Sequence, residues 1–143
     1  MELARVIQLL DQTLKGDATG IDELRPATQT RLHEAGQALG GQLGFGRATT
    51  LRVLEDWRAG RLTDEQVRWW ALLMFIGAFP QEWTPVGWKV DYDSQPLLID
   101  YSDDEEVNEA IFRLKDIGSQ VDDDITAAER TKMVLGLLRP PRA

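Results

Sequence analysis

One helix-start pattern occurs three times in this sequence, and no other feature constrains the fold as strongly. At 63–66, 102–105 and 126–129, a Ser or Thr is followed three residues later by Glu or Gln. The two side chains of such a capping box accept hydrogen bonds from backbone amides that the first helical turn leaves without partners. Each pattern therefore predicts where a helix begins.

Apolar residues recur three and four positions apart along most of the chain, which is the spacing of one helical face. The predicted helices cover 2–15, 26–39, 48–59, 63–77, 102–117 and 126–138. The helix at 63–77 is apolar on nearly all sides and is expected at the centre, and Trp57, Trp69 and Trp70 are expected in the core. The sequence therefore predicts an all-α fold, a compact bundle of five or six helices that forms a single domain over residues 1–143.

The helical spacing disappears between residues 79 and 101. Pro80, Pro85 and Pro96 interrupt it, while residues 88–92 alternate between apolar and polar and residues 97–99 form a short apolar run. We interpret this stretch as one long, ordered, acidic loop and leave open a small hairpin within it. Loops of this length inside compact domains often carry function.

Negative charge is concentrated in and after this loop. Eight carboxylates and no basic residue lie between Lys89 and Arg113. Residues 90–129 hold 13 acids and two bases, whereas residues 1–89 hold 11 acids and 10 bases. Such a distribution concerns partners and association rates rather than fold. The overall pI near 4.6 argues against a nucleic-acid partner, because binding phosphates needs a clustered positive surface.

The acidic segment and two tryptophans of the loop are the candidate partner-binding residues. Acids in the first turn of a helix oppose its dipole, which is an ordinary structural explanation for the acids at 103–106 but not for those upstream. Aromatic rings beside carboxylates are typical of interfaces, although packing of the loop on the bundle explains the rings equally well. Both interpretations stay open for the candidates, which are Trp83, Trp88, Asp91, Asp93, Asp100, Asp103, Asp104, Glu105 and Glu106.

Signatures of catalysis and metal binding are missing from the sequence. It contains no cysteine, a single histidine (His33), no phosphate-binding glycine loop and no nucleophile elbow. The runs that begin at Asp91 and Asp122 are spaced like calcium loops but lack the required glycine and the final glutamate. We therefore expect a non-enzymatic protein with no cofactor and no bound metal. A carboxylate- and metal-dependent enzyme is the further alternative.

The sequence also gives an expectation for the cellular location of the protein. Its longest apolar run, residues 69–79, is well short of the about 20 residues that span a membrane. The N-terminal stretch has charged residues among its apolar ones and is not a secretory signal. We expect a cytoplasmic protein with no membrane partner, and a homodimer stays open.

Two short stretches resemble a known family of bacterial proteins. LEDWRAGRLTDEQ at 54–66, and DYSDDE at 100–105 followed by an amphipathic helix, are similar to parts of the small immunity proteins of the colicin D type. Those proteins are compact, acidic, mostly helical inhibitors that mask the active site of a basic RNase toxin. The resemblance implies an immunity protein whose partner is a basic nuclease toxin. A helical scaffold or homodimerising domain is the alternative class.

Overall fold

The all-α prediction is confirmed by a computed structural model, which describes residues 2–79, 82–84, 87–89, 96–101, 104–115 and 127–138. The helices in this part of the chain are α1 Leu3–Leu14, α2 Ile21–Leu24, α3 Gln29–Ala38, α4 Arg47–Arg58, α5 Asp64–Ile76, α6 Glu105–Leu114 and α7 Ala127–Leu138. Each of the six predicted helices is present, with ends that differ by a few residues. A 3₁₀ turn at Ala18–Gly20 and the single turn of α2 are additional.

Helix α5 is the central element, as its all-round apolar sequence predicts. Its buried residues are Val67, Trp69, Trp70, Ala71, Leu72, Leu73 and Met74. The predicted core position of Trp57, Trp69 and Trp70 is confirmed, and the indole of Trp70 donates a hydrogen bond to the backbone carbonyl of Thr13 at 3.2 Å. Each large apolar side chain buried in this way stabilises the fold by about 1.5–3 kcal/mol.

The three helix-start patterns have different outcomes. At Thr63 the capping box is confirmed, because the Thr63 hydroxyl accepts from the Gln66 amide at 3.1 Å and the Gln66 side chain accepts from the Thr63 amide at 2.9 Å. The predicted box at 102–105 is wrong: α6 begins at Glu105, and its cap is Asp104, whose carboxylate accepts from the amides of Glu106 and Val107. The start of the third pattern, Thr126, lies outside the described residues.

Two small pairs of strands accompany the helices in the described residues. Strands β2 (Glu82–Thr84) and β3 (Gly87–Lys89) form an antiparallel hairpin within the predicted loop, but it lies before most of the stretch predicted as extended. Strands β1 (Leu43–Gly44) and β4 (Ile99–Asp100) pair in parallel. No helix in the described part of the chain combines the length and apolar character needed to cross a membrane.

The end of the loop is fixed to the end of α5 through Gly77. This glycine ends the helix with φ of 72°, and its carbonyl accepts from the amide of Leu97 at 2.9 Å. A Cβ atom at Gly77 would lie only 2.0 Å from the Leu97 carbonyl oxygen. The two segments can therefore approach this closely only because residue 77 is a glycine. This contact leads the chain into β4 and from there to the acidic start of α6.

Candidate functional site

The structure describes four candidate side chains: Asp100, Asp104, Glu105 and Glu106. Asp100 ends β4, Asp104 caps α6, and Glu105 and Glu106 form the first turn of α6. The backbones of Trp83 and Trp88 are directly opposite each other in the hairpin, but their side chains lie outside the described part. Asp91, Asp93 and Asp103 also lie outside it.

Asp104 and Glu106 are joined to a base from a distant part of the sequence. Arg47, the first residue of α4, donates from Nε and Nη2 to the two carboxylate oxygens of Asp104 at 2.8 and 2.7 Å. Its Nη2 also donates to Glu106 at 3.2 Å. The paired, parallel bonds to Asp104 are the strong geometry that guanidinium and carboxylate groups favour. We call Arg47, Asp104 and Glu106 the Arg47 cluster.

The Arg47 cluster also binds the end of α7. Arg47 Nη1 donates to the carbonyls of Gly136 and Leu137, at 2.9 and 3.2 Å. Carbonyls in the last turn of a helix have no partner within the helix, and a positive charge there is favoured by the helix dipole. One guanidinium therefore connects the starts of α4 and α6 with the end of α7.

The Arg47 cluster is largely hidden from solvent. The side chains of Arg47, Asp104 and Glu106 are 14%, 11% and 23% exposed. Burial would raise the pKa of Asp104, but the hydrogen bonds and charge of Arg47, with the two backbone amides, outweigh it and leave that pKa below its ordinary value. Asp104 is therefore ionised and internally neutralised at neutral pH, which gives it a role in holding the helices together.

Among the described residues of the acidic segment, other acids lie at the surface. Asp100 and Glu105 are exposed, and so is Glu109, one turn further along α6, which was not among the predicted candidates. We call Asp100, Glu105 and Glu109 the acidic surface. The three acids lie within ten residues of the sequence, and Glu105 and Glu109, four residues apart on α6, share one face of that helix.

A groove of about 830 Å³ lies between the outer faces of α6 and α7. Its lining includes the buried Ala110, the backbone of Gly136 and Phe112, which is 61% exposed. The complete lining consists of Glu105, Glu106, Glu109, Ala110, Phe112, Arg113, Glu129, Lys132, Met133 and Gly136. The groove therefore combines apolar groups with carboxylates in its lining.

Phe112 also belongs to an aromatic pair. Its ring centroid lies 6.4 Å from that of Phe75 on α5, in edge-to-face geometry, and Phe75 is 43% exposed. The Lys115 ammonium lies 4.4 Å from the Phe112 centroid and 5.2 Å from the Phe75 centroid. Aromatic residues are enriched in protein interfaces relative to the rest of the protein surface.

Within the described residues, no three His, Cys, Asp or Glu side chains are placed to share a metal ion. The first acidic run spaced like a calcium loop, 91–95, and the aspartates that begin the second, 122–124, lie outside those residues. His33 is half-buried on α3.

Arg47 is the member of the Arg47 cluster that the sequence did not predict. Its partners are 57 and 59 residues away for the carboxylates and 89 and 90 residues away for the carbonyls. Because no base lies between Lys89 and Arg113, the sequence suggested that the acids of this segment have no counter-ion. A counter-ion that comes from another helix, as Arg47 does, leaves no local pattern. Its only local signal is a base at the start of a helix, where the dipole disfavours positive charge.

Comparison with known proteins adds no relative, since no family model, curated protein or solved structure matches this chain.

Proposed function

We propose that this protein is a non-enzymatic inhibitor, an immunity protein that neutralises a basic nuclease toxin of the same cell. The observation that carries the proposal is the acidic surface, since Asp100, Glu105 and Glu109 stay exposed after Arg47 has neutralised its own partners. The net charge of −8 and the resemblance of two stretches to colicin D-type immunity proteins agree with it.

An acidic surface suits such a partner for two physical reasons. A nuclease binds phosphates, so its active-site cleft is lined by bases, and closely spaced carboxylates offer it similar negative charges. Complementary charge also accelerates encounter, to about 10⁸–10⁹ M⁻¹s⁻¹ at low ionic strength. An inhibitor that must capture a toxin before it cuts RNA gains directly from that speed.

The test is neutralisation in cells that produce a basic nuclease toxin, with any nuclease found to be encoded beside this gene as the first candidate. A variant with Asp100→Asn, Glu105→Gln and Glu109→Gln removes the acidic surface and keeps all three residues of the Arg47 cluster. A control with Glu2→Gln, Asp22→Asn and Glu23→Gln removes the same charge from exposed positions at the other end of the chain. We expect wild type and control to restore growth and the acidic-surface variant to restore it less. A toxin neutralised equally by all three contradicts the proposal.

The exposed aromatic pair favours a second candidate, a helical scaffold or homodimerising domain. Phe75 and Phe112 would be buried against a second copy of the chain. Sedimentation equilibrium distinguishes the two functions: a dimer that Phe112→Ser converts to a monomer supports the second, whereas a monomer at every concentration contradicts it.

A further inference from the structure

Gly136 lies in the lining of the α6–α7 groove, and nothing in the described fold requires a glycine at this position. It lies within α7, and its φ is not in the left-handed region that favours glycine. A Cβ atom placed on it would meet one atom of the described residues, Glu106 Cγ, at an ordinary distance of 3.9 Å. Glycine weakens a helix relative to alanine because it loses more backbone freedom on folding. The helix therefore leaves its backbone bare where the described residues have room for a side chain.

The edge of the groove is more negative than positive. Four carboxylates and two bases line it, but Glu106 binds Arg47 and Glu129 accepts from Arg113 at 3.1 Å, so the negative balance rests on Glu105 and Glu109 against Lys132. Glu105 and Glu109 are both exposed and lie four residues apart, so they share one face of α6. A single guanidinium or ammonium group can contact both, which makes this end of the groove complementary to a basic side chain.

Apolar surface adjoins these carboxylates. The exposed Phe112 of α6 and the half-buried Met133 of α7 line the same groove as Gly136. A side chain inserted there would cover all three, and methionine adapts readily to the shape of a partner. The groove is thus suited to one large apolar group next to one positive charge.

We infer that the α6–α7 groove receives a basic segment of the partner protein. One large apolar side chain of that segment lies against Phe112, Met133 and Gly136, while a Lys or Arg pairs with Glu105 and Glu109. The inference rests on the proposed function, because it identifies where the basic partner docks. Charge steers the encounter, and the apolar insertion governs dissociation.

The probe is a synthetic helical peptide of Lys and Leu, titrated into the isotopically labelled full chain and followed by amide NMR shifts. We expect the largest shifts at Glu105–Arg113 and Glu129–Gly136, with no binding of a peptide in which Glu replaces Lys. Gly136→Leu fills the groove and should weaken binding about tenfold or more, as loss of a central contact does. Ala128→Leu is the matched control, because it adds the same side chain to an exposed position of α7 outside the groove lining.

Phe112→Ala provides a second variant, since its exposed ring can be removed without opening the core. Equal binding by wild type and both groove variants, or shifts confined to other helices, would overturn the inference. With the nuclease as ligand, an unchanged dissociation rate for Gly136→Leu refutes the groove but leaves the proposed function standing. Peptide binding in the groove without neutralisation of the nuclease refutes the proposed function instead.

Discussion

At the level of single residues, Arg47 joins groups that are 57 to 90 positions away in the sequence. Its guanidinium is nearly covered, and it contacts two carboxylates and two helix-end carbonyls. A charge hidden from water is stable only when its partners are in place, so removing one partner leaves the others uncompensated. Asp104 is the partner that can be changed most informatively, because it both pairs with Arg47 and caps α6.

Two substitutions separate these roles of Asp104. Asp104→Asn keeps a side-chain oxygen for the cap but removes the charge, and should lower the free energy of unfolding by about 1–2 kcal/mol. Asp104→Ala removes both and should cost about 1 kcal/mol more, the usual value of a helix cap. Urea unfolding measures both values. Wild-type stability in Asp104→Asn would show that the ion pair contributes nothing.

The same pair predicts a dependence on pH. Because the pKa of Asp104 is lower in the folded protein than its ordinary value of 3.8, its contribution is fully present above that pH and is lost as the pH falls below it. Asn does not titrate. The stability difference between wild type and Asp104→Asn, measured by urea unfolding, should therefore be constant from pH 7 to about pH 5 and narrow towards pH 3. A difference that widens in acid would contradict this assignment.

At the level of elements, the sequence predicts those features that depend on residues close together along the chain. The cap of α5 at Thr63, the central position of α5 and the six main helices follow from neighbouring residues, and all are observed. The start of α6 does not follow from the local sequence. Asp104 caps this helix instead of Ser102, and the Asp104 carboxylate also binds Arg47, which comes from a distant helix. For the same reason the sequence could identify an acidic segment but not which acids stay at the surface.

Glycines at helix ends offer a test of one long-range contact. Gly60 and Gly77 both have positive φ, 81° and 72°, but a Cβ atom meets nothing within 4 Å at Gly60 and overlaps the Leu97 backbone at Gly77. Gly60→Ala should cost about 1–2 kcal/mol from backbone strain, and Gly77→Ala about 3 kcal/mol or more, because overlap is added to the strain. Urea unfolding of the two variants gives the comparison. Equal losses would mean that the Leu97 segment moves away without cost.

At the level of the whole molecule, the expectation that no metal is bound can be tested by thermal unfolding. A divalent ion held by acids such as Asp91, Asp93, Asp122 and Asp124 would stabilise the folded state by preferential binding. We expect Mg²⁺, Mn²⁺ and Ca²⁺ to change the Tm no more than a monovalent salt of the same ionic strength. A saturable rise in Tm would instead support the metal-dependent enzyme.

The central claim, that the acidic surface captures a basic nuclease, is tested most directly by stopped-flow association rates at two ionic strengths. For wild type and for the Glu2, Asp22 and Glu23 control, we predict fast association that slows steeply with salt. The variant changed at Asp100, Glu105 and Glu109 should associate about tenfold more slowly at low salt and depend less on salt. An acidic partner, or a basic one whose association rate ignores these three substitutions, would contradict the account.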